Sequence, residues 1–98
     1  MDEGCNPNTI KKQFIYWSLV LHHHSQRLYE AKVQQESLRR KCVRVDDLYD
    51  TRLIQIDHTN ESQVSRLIKI AKRLDKINTI IAKNQDNIDG LENLVRNP

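Results

Sequence analysis

Hydrophobic residues recur along this chain at alternating steps of three and four, the spacing that puts them on one side of an α-helix where a second helix can cover them. The C-terminal half is the more regular. Leu67, Ile70, Leu74, Ile77, Ile81, Asn84, Ile88, Leu91 and Val95 form one seam, and Asn84 is its single polar member. Traced backwards, this register crosses the polar Gln63 and Asn60 before reaching Ile56, Leu53 and Tyr49. The N-terminal half carries a second register through Ile10, Phe14, Trp17, Leu21, His24, Leu28, Ala31, Gln35, Leu38, Cys42, Val45 and Tyr49. The two meet in successive steps of four, from Val45 to Tyr49 to Leu53. Such a stutter locally unwinds a supercoil without interrupting the helix.

The pattern predicts an all-α chain: an elongated coiled coil of one or two long helices, bent or hairpinned near residues 57–62, and part of a helical bundle. The expected segments are a disordered acidic tail over residues 1–8, a helix over 9–56, a kink or turn over 57–62, a second helix over 63–95 and a frayed tail over 96–98. Glycine and proline stand only at positions 4, 7, 90 and 98, so nothing between residues 8 and 89 forbids a continuous helix. Asn8 or Thr9 can cap the start, because a short polar side chain accepts from an unpaired amide of the first turn. The far end is expected to fray near Gly90 or Pro98. Against a single rod stands Asp57-His58-Thr59-Asn60-Glu61-Ser62, rich in side chains that compete for the backbone, and Asn60 followed by Gln63 resembles a helix start. A straight rod over residues 9–95 would span about 130 Å at 1.5 Å per residue, whereas folding at Thr59 leaves a longer arm of about 75 Å. Kink and turn both remain open at this stage.

A helix with one apolar seam is marginal alone, since each buried Leu or Ile contributes about 1.5–3 kcal/mol only when something covers it. Val20, Ile80 and Leu94 lie beside the seam and widen the stripe, as bundles of three or more helices prefer. The expected partners are other helical subunits, with oligomerisation obligatory. A parallel homodimer is disfavoured, because Arg27 would face Lys32 across the interface and only Lys41 with Asp46 forms a favourable pair. Basic residues outnumber acidic ones six to two between Arg27 and Arg44, and five to one between Arg66 and Lys76. The resulting patch, Arg39, Arg40, Lys41, Arg44, Arg66, Lys69, Lys72, Arg73 and Lys76, predicts partners with acidic flanks. His24, Gln35 and Asn84 sit in the seam itself, where polar groups lower stability if unpaired and fix register and partner choice if matched.

Composition adds limits. Hydrophobic residues are only 38% of 98, too few for a sizeable enclosed core, and charged residues are 30%. The longest nearly apolar run, Phe14 to Leu21, falls far short of the roughly 20 residues of a membrane span. The acidic, polar N-terminus lacks the features of a signal peptide, so cytoplasm or nucleus is the expected compartment. Cys5 and Cys42 are too isolated for a disulfide framework or a zinc motif. His22-His23-His24 cannot converge on one metal, because successive helical residues point about 100° apart. A phosphate-binding glycine loop and nucleophile–base arrangements are both missing, and carboxylate pairs such as Asp46 with Asp47 lie on a rod without a pocket. Neither catalytic residues nor a metal or cofactor is therefore expected.

The functional expectation is a non-enzymatic structural or adaptor subunit that joins a hetero-oligomeric complex through its helices. By analogy alone, kinetochore, spindle and vesicle or organelle tethering assemblies use such subunits. One alternative is a basic, nucleic-acid-associated coiled coil, motivated by the net charge of +3 and the cluster Arg39-Arg40-Lys41 with Arg44. Another is a self-sufficient homo-oligomer. A third, membrane-surface attachment through Lys11, Lys12 and Phe14-Ile15-Tyr16-Trp17, is set below a role for Phe14, Trp17 and Leu21 as a bundle anchor.

Overall fold

Asn60 decides the shape of the molecule. In the computed structural model, which describes residues 7–97 and side chains from Lys11 onward, its side chain accepts hydrogen bonds from the Ser62 and Gln63 amides at 3.1 and 3.3 Å. Those amides belong to the first turn of a helix and have no partner within it, so the Asn60 oxygen starts a new helix there. Gln63 reaches back, as in a capping box, but accepts from the Asp57 amide at 2.8 Å. The Asp57 carboxylate accepts from the Thr59 amide at 3.0 Å and the Thr59 hydroxyl at 2.7 Å, and the Asn60 amide donates to the Asp57 carbonyl at 3.0 Å. Asp57 and Asn60, two of the polar residues that argued against a straight rod, thus satisfy backbone amides of a tight turn with their side chains, and Gln63 satisfies a third group.

The turn joins α1, Pro7–Gln55, to α2, Glu61–Arg96, in an antiparallel helical hairpin; the described residues contain no strand. At 1.5 Å per residue the 49 residues of α1 make it about 73 Å long. The helix passes through the stutter at Val45, Tyr49 and Leu53 unbroken. It starts at Pro7, so Asn8 and Thr9 lie inside its first turn and do not cap it. Proline suits that first position, having no amide to leave unpaired. α2 likewise continues through Gly90, and its end is closed by the Asn97 amide donating to the Asn93 carbonyl at 2.9 Å. The acidic tail expected over residues 1–8 falls outside the described residues up to position 6, as does Pro98.

Asp57 responds to acid in a defined direction. The Thr59 hydroxyl, then the Thr59 amide, holds its carboxyl below the ordinary value of 3.8. A carboxylate with a lowered folded pKa stabilises the fold above its ordinary value, and that contribution disappears as pH falls through the lower folded value. Asp57→Asn is therefore expected to flatten the acid limb of hairpin stability, read as thermal midpoint by circular dichroism between pH 5 and 2.5. Parallel pH profiles for the two proteins would contradict this.

The core is one layer thick. Ala31, Ile88 and Leu91 form its centre with Leu28 packed against them, and Val45 and Ile77 are buried further along. Among the described residues the deepest side chains still retain about 4% exposure, so the two helices seal none of them completely. Gly90 costs this thin structure stability. A glycine inside a helix is worth about 0.5–1 kcal/mol less than alanine, and a Cβ added here would meet nothing within 4 Å. Gly90→Ala should raise urea-unfolding stability by that amount; an unchanged or lower midpoint would count against the free space at this position.

Candidate interaction surfaces

Three features of the hairpin bear on function. The first is an overhang. α1 has thirteen residues more than α2, 49 against 36, so about 20 Å of its N-terminal end extends beyond the last turn of α2. That stretch and the two residues after it contain Phe14, Ile15, Tyr16, Trp17, Leu19, Val20 and Leu21, and successive 100° steps distribute them around the whole helix. A helix apolar on every side belongs inside a larger structure. Here Phe14 is 72% exposed and Trp17 52% exposed. Phe14, Trp17 and Leu21 continue the seam of α1 past the point where α2 can cover it. The side chain of Ile10, next in that register, lies outside the described residues. No described helix is long and apolar enough to cross a membrane.

The second feature is a polar layer within the seam. Gln35 is buried, and its Nε2 donates to the Ile81 carbonyl at 3.0 Å and to Gln85 Oε1 at 3.3 Å. Asn84 Nδ2 donates to the Ala31 carbonyl at 3.0 Å and to Gln35 Oε1 at 3.0 Å. Each arm therefore sends one amide onto a backbone carbonyl of the other, and the two side chains bind each other between those contacts. Gln35 and Asn84 were legible as seam residues. Gln85 was not, because it lies beside the seam, and its only sequence signal is its adjacency to Asn84. The thiol of Cys42, which donates to Asn78 Oδ1 at 3.3 Å, is a further cross-arm contact of this kind. His24 lies half-buried at the open end of the seam; its Nδ1 is buried without a hydrogen-bond partner, and its ring stands 5.9 Å from that of His23. Among the described residues no group of three or more His, Cys, Asp or Glu side chains is placed to hold a metal ion.

The remaining seam residues meet the other arm of the same chain. Leu28, Leu38, Val45 and Tyr49 on α1, Ile56 at the start of the turn, and Leu67, Ile70, Leu74, Ile77, Ile81, Ile88, Leu91 and Val95 on α2, are all buried or half-buried in the hairpin. The sequence reading assigned them to partner helices, and their first partner is internal. Closing a turn of about five residues costs far less entropy than recruiting a separate molecule. Leu53 is the exception, exposed where the stutter rolls it off the seam.

The third feature is the distribution of charge over the two grooves that run between the arms. Lys41, Arg44 and Arg73 line a shallow depression floored by Val45 and Leu48. The opposite groove holds Lys32, Arg39, Gln85 and Glu92, and there Lys32 pairs with Glu92 at 3.4 Å. Of the other basic residues, Arg40 pairs with Glu36 one helical turn away, and Arg66, Lys69, Lys72 and Lys76 are exposed.

No family model, curated protein or solved structure matches this chain. The class its geometry defines is an antiparallel helical hairpin with an uncovered apolar overhang.

Proposed function

We propose that the chain is a non-enzymatic subunit of a hetero-oligomeric helical assembly, into which it delivers a preformed hairpin and an anchoring overhang. The observation that carries this reading is the exposure of Phe14, Ile15, Tyr16, Trp17 and Leu19 on all sides of one helical segment. A contiguous apolar surface of this kind marks an interaction site. Other helices are its fitting cover, because Phe14, Trp17 and Leu21 keep the seam spacing that already accepts a helix from Leu28 onward.

The one-layer core supports the same reading, since a hairpin that seals none of its described side chains completely gains stability from any further helix laid against it. Sedimentation velocity and far-UV circular dichroism on the isolated chain, over a concentration series, test the proposal. The expected result is a helical but weakly stable species without fixed oligomeric size, which acquires fixed stoichiometry with helical partner subunits. A stable homo-oligomer of one size would overturn the hetero-oligomeric reading. Helicity and sedimentation gained only on adding anionic vesicles would replace it with membrane-surface attachment through the same overhang.

A further inference from the structure

The hairpin is electrically divided along its length. Seven-residue spacing places Arg66, Arg73, Ile80 and Leu94 along one flank of α2, with Lys69, Lys76 and Lys83 three positions beyond the members of that row. In an antiparallel pair this flank faces the α1 row that holds Arg27, Lys41 and Leu48, beside which Arg44 lies, and the depression shared by Lys41, Arg44, Leu48 and Arg73 locates the junction of the two. All eight of these basic residues are exposed, and Glu30 is the single acid in the same register positions. The opposite flank reverses the balance, with Glu36, Asp46, Asp50, Asp75, Asp89 and Glu92 against Lys32, Arg39 and Arg96. Among the described residues the ion pairs are Lys32 with Glu92 and Arg40 with Glu36, so the basic flank has no carboxylate of its own in contact.

We infer that this basic groove is the seat of an acidic amphipathic helix from a partner protein, which lies between the arms as the third helix of a bundle. The inference rests on the proposed assembly function and specifies its partner. Apolar side chains run along the groove between the charges: Leu48, Ile80 and Leu94 are 38%, 47% and 44% exposed. Ile80 and Leu94 are two heptads apart, about 21 Å, which matches the repeat of a straight helix laid beside them. An apolar strip with cationic edges on both arms complements a helix that has Leu or Ile on one face and Glu or Asp flanking it. A nucleic acid would use the cations but not the strip, and the middle of the groove has no exposed aromatic ring on which a base could stack.

The test uses the full chain and three labelled probes in fluorescence anisotropy at low and moderate salt. They are a designed four-heptad peptide with Leu and Ile at the seam and Glu at its flanks, a polyglutamate of equal charge that forms no amphipathic helix at neutral pH, and a DNA duplex of equal length. The acidic helix is expected to bind one to one and more tightly than either control. Replacing Lys69, Arg73 and Lys76 together by Gln should weaken it by about tenfold or more, since each edge charge contributes modestly. Ile80→Ala with Leu94→Ala should weaken it without changing the salt dependence, whereas Arg96→Gln, on the opposite flank, should leave it unchanged. Tighter binding to DNA, equal binding to polyglutamate, or indifference to both groove variants overturns the inference. An assembly that still forms through Trp17 when Lys69, Arg73 and Lys76 are neutralised would sink this groove assignment and leave the proposed function standing.

Discussion

Alanine in place of Trp17 is expected to weaken assembly by about 3–5 kcal/mol, a loss of two to three orders of magnitude or more in affinity, while leaving the isolated hairpin as stable as before. Both halves follow from position. Trp17 lies beyond the reach of α2 and is half exposed, so removing its indole takes nothing from the intramolecular core. In an assembly it occupies the middle of the overhang, with Phe14 and Leu21 one turn away on either side in the same register, where a large aromatic side chain loses most water and gains most contact. Binding to the partner subunits, measured by titration calorimetry, should separate sharply from urea unfolding of the chain alone. A change in affinity below about threefold, or an equal loss in the isolated hairpin, would contradict the role given to the overhang.

Asn84→Ala is expected to destabilise the hairpin itself by about 1–3 kcal/mol. The substitution removes two hydrogen bonds, to the Ala31 carbonyl and to Gln35 Oε1, and strands the latter in the seam. For a two-helix unit with so thin a core that is a large share of the total. Replacing both members, Gln35→Leu with Asn84→Leu, should behave differently. It removes the polar groups together, so stability is retained or increased, while the contacts that align the arms are lost. The expected signature is a higher unfolding midpoint with altered oligomeric size, because a seam of uniform leucine accepts several registers. An Asn84→Ala loss below about 0.5 kcal/mol, or a double variant as uniform in size as the parent, would remove the register-setting role from this layer.

Helical class and seam position were readable from spacing alone because burial in a coiled coil is set by periodicity. The register written through Leu67, Ile77, Ile88 and Leu91 is the one the structure buries. Residues 57–62 were ambiguous because the same side chains that disfavour a helix interior can either bend a helix or cap a new one. The outcome depends on hydrogen bonds between residues up to six apart, such as Asp57 with Gln63, which no local propensity encodes. The identity of what covers the seam was hidden for another reason. Periodicity shows that a helix is needed but not whether it comes from the same chain, and that is decided by the turn. Phe14, Trp17 and Leu21 show how far spacing alone reaches: they repeat the pattern of Leu28 and Ala31, yet α2 ends before it reaches them. The basic clusters over Arg27–Arg44 and Arg66–Lys76 were legible in the sequence, but the division into a basic and an acidic flank emerges only when the two registers are wrapped onto antiparallel arms.

Hydrogen–deuterium exchange on the whole chain, alone and within its purified assembly, addresses the central claim directly. In the isolated chain the amides of residues 11–21 should exchange quickly while those of residues 28–49 and 67–95 are protected, and assembly should protect the overhang as well. Strong protection of residues 11–21 in the isolated monomer, or an overhang that stays fast in the assembly, would contradict the account.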